Sequence, residues 1–412
     1  MIGAGLAGLA CAIAVLEAGE QAIVYEMARQ AGGRCRSFYD PRLERYLDNG
    51  THMIIGANTG ALQYIDRLHT NHFTIIAPAV FPFLDLENGE CWTLRPNSGR
   101  LPWWLLHSRR RVAKSRFIDY LSVFRLLWGQ MGGCDLTVAD YLSGPLMQRL
   151  WKPITEATLN TAPEEASAAL FARVIGNSLM LGEHACRPYL ARHGLGPALI
   201  EPALSRITAA GGIVQFGSRL RTIYAIAKVL RLHFDTGVVE TKVGDSVVLA
   251  LPPWEIATLW PELSVPTAFR AIVNVHYRLD RPVRFPGGLP FLALVGGLAQ
   301  WLFIRGDVLS VTVSAANALA TQTNAVVAHK VWADCATALA LPLTPMPLAR
   351  VIKEKRATLA HTPASNGRIV PPPPLPGLVL AGDWTCPYLP ATIEAAVISG
   401  ARAAAQVLGL RL

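Results

Sequence analysis

Gly3-Ala4-Gly5-Leu6-Ala7-Gly8 stands at the start of the chain, and Ala22-Ile23-Val24-Tyr25-Glu26 follows it. Together they read as a dinucleotide cradle of strand, tight turn, helix and second strand. Each glycine has its own task. Gly3 allows the turn, Gly5 lets backbone approach a pyrophosphate, and Gly8 lets the next helix pack closely on the sheet. Residues 9–19 have the alanine-rich composition of that helix. Glu26 stands where a strand-end acid accepts from ribose hydroxyls. Only Met1 and Ile2 precede Gly3. The first strand is therefore expected to be stunted, or the start lies upstream, and a clipped central strand would weaken the cradle.

The far end of the chain offers a partner. Ala381-Gly382-Asp383-Trp384-Thr385 is followed by Leu389-Pro390-Ala391-Thr392-Ile393-Glu394. A helix starting near Thr392 would present its positive amino end to an anion. The first motif alone would fit NAD or FAD; both together, at opposite ends of the chain, suggest FAD held by the two ends. No second G-x-G-x-x-G occurs. An internal NAD site is not expected, and electrons come from an external donor whose identity the residues do not specify.

Composition narrows the class. A length of 412 residues allows two or more core-building units. The chain is 51% hydrophobic and 16% charged. Its most apolar run, 289–304, contains Pro290, Gly296, Gly297 and Gln300, and reads as buried strands rather than a spanning helix. The apolar run 2–16 lacks a basic leading region, so no signal peptide is expected. Cysteines 11, 35, 91, 134, 186, 335 and 386 are scattered, with no C-x-x-C. They are expected to be reduced thiols in a cytoplasm, with neither disulfide framework nor zinc. His69 and His72 form the one close histidine pair, and no metal is expected.

The net charge of +9 is unevenly placed. Arg109, Arg110, Arg111, Lys114 and Arg116 lie between Trp103-Trp104-Leu105-Leu106 and a helical stripe of Phe117, Tyr120, Leu121, Phe124, Leu126, Leu127 and Trp128. Two readings fit equally. Residues 103–128 rest in a membrane interface, binding anionic headgroups, or they form a core-facing helix with a solvated basic edge. No nucleic-acid module is recognisable, so no nucleic-acid partner is expected.

Gly32-Gly33-Arg34-Cys35-Arg36-Ser37 and Asp48-Asn49-Gly50-Thr51-His52 complete the pattern. With the two ends, they resemble the flavin amine-oxidase and phytoene-desaturase superfamily. The resemblance implies an α/β fold in which a Rossmann-like FAD-binding domain is interleaved with an α+β substrate domain. FAD-binding segments would be 1–69, 191–262 and 366–412, and substrate segments 70–190 and 263–365. It implies FAD contacts from Gly3, Gly5, Gly8, Glu26, Gly33 and Arg34, the last beside the phosphates. Leu220 would touch the adenine through its backbone. Gly382, Asp383, Thr392 and Ile393 would form the second flavin motif, and 48–52 would pass the isoalloxazine ring.

Finer stretches narrow the resemblance. Leu150-Trp151-Lys152-Pro153, Leu159-Asn160-Thr161-Ala162-Pro163-Glu164-Glu165-Ala166-Ser167, Ala250-Leu251-Pro252-Pro253-Trp254 and Ala299-Gln300-Trp301-Leu302-Phe303 look like the family of hydroxysqualene dehydroxylases, or squalene-associated FAD-dependent desaturases. That implies a C30 isoprenoid substrate, hydroxysqualene, reduced to squalene in bacterial hopanoid synthesis. It also favours a cytoplasmic protein, peripheral on the inner face of the membrane. The expected acid is His52 or Asp48, with Asn160 and Glu164 next. Asp48 as a turn cap and His52 as a backbone or flavin partner are equally compatible with the residues. A carotenoid-type desaturase is the nearest rival, and a non-catalytic isoprenoid carrier a further one. An amine oxidase is disfavoured, because Thr392 stands where many of those carry a cage aromatic.

Overall fold

Residues 1–3 lie in the middle of a parallel sheet, bonded on both edges. Ile2 N donates to Val248 O (2.8 Å) and Ala250 N to Ile2 O (2.9 Å). On the other side Gly3 N donates to Tyr25 O (2.7 Å) and Tyr25 N to Met1 O (2.9 Å). The strand is short, as expected, and its ladder is made on both sides. The computed structural model describes residues 1–129 and 136–410. The sheet runs in the order Ile213–Gln215, Ile23–Tyr25, residues 1–3, Val247–Leu249, Leu378–Leu380. Early, middle and late segments thus build one layer.

The helix Leu6–Glu17 is apolar around most of its circumference because both sides are covered. The sheet lies beneath it, and the last helix, Ile393–Val407, packs on it. Gly400 makes that approach possible: a Cβ there would sit 2.2 Å from Ala7 O.

The second layer is a seven-stranded mixed sheet. Its order is Leu348–Leu359, Phe269–Arg278, Val308–Val313, Trp301–Arg305, Phe291–Val295, Phe81–Asp85, Cys91–Leu94. Only Phe291–Val295 and Phe81–Asp85 pair in parallel. Phe291–Val295 is buried on both faces. Leu292 and Leu294 join the core under helix Asn324–Leu339, while Ala293 and Val295 join the core beneath the helices of residues 122–177. The run 289–304, expected as buried strands, is two strands of this sheet.

The helical stripe expected over 117–128 forms as a 3₁₀ turn running into an α-helix, whereas residues 103–116 before it make only broken turns. Trp103–Leu106, Ser108–Arg110 and Phe117–Tyr120 are single 3₁₀ turns, and Ser122–Gly129 alone is α-helix. The backbone here is tied elsewhere: Val112 N donates to Tyr120 OH (3.0 Å) and Arg111 Nη1 to Leu105 O (2.6 Å). The kinks turn Trp104, Leu105, Val112 and Tyr120 inward and leave Leu101, Trp103, Leu106 and Ile118 outside. Of the seven cysteines, Cys134 lies outside the described residues; the other six are free thiols.

Candidate active site

One cavity of about 1350 Å³ runs from the glycine turn, past both chain ends, to an apolar slot against the mixed sheet. The glycines of the turn are required for different reasons. Gly3 has φ +102°, and a Cβ there would meet Ala250 O at 2.5 Å. At Gly8 a Cβ would meet Gly3 O at 2.0 Å. Gly5 is different: its backbone is extended, and nothing lies within 4 Å of where a Cβ would go. That side faces the cavity, and Gly33 stands opposite, its Cβ position 3.7 Å from Gly5 Cα. The protein itself forces Gly3 and Gly8, whereas room for a ligand is what Gly5 provides. A pyrophosphate fits there, between two Cβ-free turns and the amino end of helix Leu6–Glu17.

Glu26 braces the same turn. Its Oε2 accepts from Ala4 N (2.7 Å) and its Oε1 from Ala28 N (2.9 Å). It also lines the cavity, as does Leu220. The two chain ends meet directly. Arg34 Nη2 lies 2.8 Å from Asp383 Oδ2, and Arg34 Nη1 donates to Ala357 O (2.7 Å). Gly382 has φ +136° and a Cβ there would press on the Trp384 ring at 2.9 Å. Thr392 caps helix Ile393–Val407, accepting from Ala395 N (3.3 Å). Among the resemblance-implied FAD residues, Gly3, Gly5, Glu26, Gly33, Arg34, Leu220, Gly382, Asp383, Thr392 and Ile393 all line the cavity, and Gly8 stands behind the turn.

Residues 48–52 separate into a buried anchor and an accessible end. Asp48 is 3% exposed and does not line the cavity. Its Oδ1 accepts from Ser37 Oγ (2.5 Å) and Leu195 N (2.9 Å), and its Oδ2 pairs with Arg305 Nη1 at 2.7 Å. Both oxygens are engaged and the side chain stands off the cavity, an arrangement that suits an anchor for the loop better than an acid. Asn274 holds the next residues, donating to Asn49 O (3.3 Å), and leaves no room for a side chain at Gly50. His52 lines the cavity, half-buried. Desolvation lowers its pKa below the usual histidine value; nearby Asp48 opposes that shift and Arg34 adds to it.

The second pair of acid candidates fares no better than Asp48. Glu164 is exposed and away from the cavity. Asn160 lines the cavity but has left-handed backbone (φ 49°) and fully committed polar atoms. It donates to Arg270 O (3.2 Å) and Thr358 Oγ1 (2.9 Å) and accepts from Ala315 N (2.6 Å). It staples the end of helix Lys152–Leu159 to the mixed sheet.

Three functional-looking residues were not anticipated. Glu156 is buried beside Gln300, whose Nε2 donates to it at 2.8 Å. Burial pushes its carboxyl up to about 7, with Lys152 opposing and Glu164 adding. Glu394, in the first turn of helix Ile393–Val407, accepts from Gly60 N (3.0 Å) and Ala61 N (2.7 Å) and so also caps the amino end of helix Thr59–Arg67. His361 accepts from Ala391 N at 2.9 Å. Each depends on a partner far away in the chain, which no local spacing announces.

The apolar slot is walled by Phe81, Phe83, Ile154, Val174, Trp301 and Phe303. Trp301 meets Phe83 edge-on at 6.1 Å between ring centroids. Such a slot accepts a long hydrocarbon, and its ring faces favour a developing positive charge.

A family model described as flavin containing amine oxidoreductase matches residues 6–408. The hydroxysqualene dehydroxylase of Sinorhizobium fredii is 39% identical, covering 98% of this chain and 96% of its own. That of Rhodopseudomonas palustris is also 39% identical, over 99% and 97%. Among solved structures, cyclohexylamine oxidase from Brevibacterium oxydans matches with a TM-score of 0.71 at 16% identity, covering 99% of this chain and 98% of that one, a likeness of fold.

Proposed function

The chain belongs to the flavin containing amine oxidoreductases and, among them, to the hydroxysqualene dehydroxylase family, and on that premise we propose that it converts hydroxysqualene to squalene and water. FAD is the cofactor; bound in reduced form, it supplies the hydride. The observation that carries this reading is the continuity of the cavity, from a Cβ-free phosphate cradle to an aromatic-walled apolar slot. Segments 1–69, 191–262 and 366–412 hold FAD, and 70–190 and 263–365 hold the isoprenoid. The reaction serves squalene and hopanoid synthesis.

The chain's own residues have three tasks. The slot excludes water and holds the C30 alcohol. Trp301 and Phe303 face the allylic cation left when water departs. His52 supplies the proton that makes the hydroxyl a leaving group, being the histidine on the run beside the cavity that Asp48 anchors. His52→Ala is expected to leave FAD bound and to slow single-turnover squalene formation by about 10²–10³-fold. The sign with pH follows from burial. With its folded pKa lowered, the acid form of His52 grows only as pH falls, so the wild-type rate should rise towards acid. Near-normal turnover in the alanine variant would remove His52 from the reaction.

The face around 103–128 docks on an anionic membrane. Leu101, Trp103, Leu106, Ile118 and Trp128 are 62%, 58%, 56%, 61% and 70% exposed. Arg109, Lys114 and Arg116 are exposed among them. Arg100 and Leu181, also exposed, line the adjoining rim of the cavity. No helix among the described residues is long and apolar enough to cross a membrane. The double variant W103E/L106E should lower co-sedimentation with phosphatidylglycerol vesicles at least tenfold, since two apolar anchors contribute roughly 1.5–3 kcal/mol each when buried. Equal sedimentation of the variant and the wild type would discard this contact.

A further inference from the structure

We infer that His361 is a positioning residue that fixes the amino end of helix Ile393–Val407 against the flavin by clamping the preceding loop to the substrate domain. The inference rests on FAD binding at this site, but not on which isoprenoid is reduced.

His361 leaves the end of strand Leu348–Leu359 and is 6% exposed. Its ring and its backbone face different elements. Nε2 accepts from Ala391 N at 2.9 Å. Its carbonyl accepts from Ser167 N at 2.8 Å, and its N–H donates to Thr161 Oγ1 at 3.2 Å. Thr161 and Ser167 belong to the family-like run 159–167, whose Asn160 is stapled to the mixed sheet. A single residue therefore links that rigid run to the loop between Cys386 and Thr392.

Besides the Arg173 guanidinium over the Tyr388 ring, 4.9 Å from its centroid, that link is what ties the loop to the substrate domain. The loop's internal bonds are short-range: Leu389 N to Cys386 O, and Thr392 Oγ1 to Pro390 O. Among the described residues, Ala391 N to His361 is the only hydrogen bond from 387–392 to an element outside the loop and its own helix. Tyr388, Leu389, Pro390, Ala391 and Thr392 line the cavity, and Thr392 caps the helix. Shifting Ala391 would shift the cap, and with it the first N–H groups of the helix.

The ring chemistry suits a permanent clamp. An acceptor Nε2 requires the neutral ring with its proton on Nδ1. Burial lowers the pKa to about 4, against the pull of Asp383, so the acceptor form persists at neutral pH. A helix amino end favours the more negative partner. Losing its alignment should therefore weaken reduced FAD more than oxidised FAD.

The test uses full-length protein and FAD without substrate, so its outcome is independent of the dehydroxylase activity. His361→Leu removes the acceptor. It should weaken binding of reduced FAD roughly tenfold relative to oxidised FAD, a fall of about 30 mV in the two-electron midpoint potential. His361→Gln, whose Oε1 reaches the same N–H, should restore the wild-type potential. His361→Asn is too short to reach it and should behave like leucine, which keeps the test informative if the leucine variant fails to fold. Wild-type potential and FAD affinity in the asparagine or leucine variant would overturn the inference. So would a folded glutamine variant that fails to restore them.

Discussion

Gly5→Val gives a folded protein that does not hold FAD. Gly5 has φ −75° and ψ 175°, a conformation that valine adopts without strain. Nothing in the protein lies within 4 Å of the new Cβ, and the position opens on the cavity. The apoprotein should lose no more than about 1 kcal/mol, the cost of a poorer residue at the helix N-cap. Yet the isopropyl group enters the space between Gly5 and Gly33, where backbone must approach the pyrophosphate. The purified variant should be colourless and should bind added FAD at least about a hundredfold more weakly, a loss of some 2.7 kcal/mol. Gly8→Ala is the contrasting control. Its Cβ would lie 2.0 Å from Gly3 O, so it should damage the turn and the stability together. Flavin absorbance after desalting and a thermal melt separate the two cases. A yellow Gly5→Val protein with wild-type FAD affinity would show that the cofactor does not pass this turn.

What was legible in the sequence was legible because its physics is local. A glycine at a positive φ, as at Gly3 and Gly382, or under a neighbouring carbonyl, as at Gly8, is fixed by a few residues around it. The apolar run 289–304 likewise announced buried strands. The stripe over 117–128 was legible as helix, but the turns before it were not, because there Val112 N is taken by Tyr120 and Leu105 O by Arg111. The run 159–167 marks the family through architecture rather than chemistry: Asn160 and Thr161 spend their polar atoms on Ala315, Thr358, Leu159 and His361. Asp48, Glu156 and His361 could not be assigned from spacing, since Arg305, Gln300 and Ala391 reach them only in the folded chain.

Asp48→Ala should destabilise the flavin side of the protein rather than silence it. The carboxylate is buried and holds three groups: Ser37 Oγ, Leu195 N and Arg305 Nη1. Ser37 Oγ in turn accepts from Gly196 N at 2.8 Å, so the antiparallel pair Ser37–Asp40 and Arg45–Asp48 is fastened through Asp48 to the turn that starts helix 196–209. Removing one partner of a buried charged pair typically costs about 3–5 kcal/mol. Arg305 is 30% exposed and can recover water, which places the expected loss near the lower figure, about 3 kcal/mol. The loop that carries His52 should loosen with it, and FAD retention should fall. Arg305→Leu leaves the carboxylate buried without its cation and should cost a comparable amount. If the two side chains act as a pair, the double variant should lose less than the sum of the singles, by about 1–2 kcal/mol. Urea midpoints of the four proteins measure this. A general acid would give the opposite pattern: Asp48→Ala as stable as wild type, still yellow, and inactive towards hydroxysqualene. That result would restore Asp48 to the chemistry and would leave its pairing with Arg305 incidental.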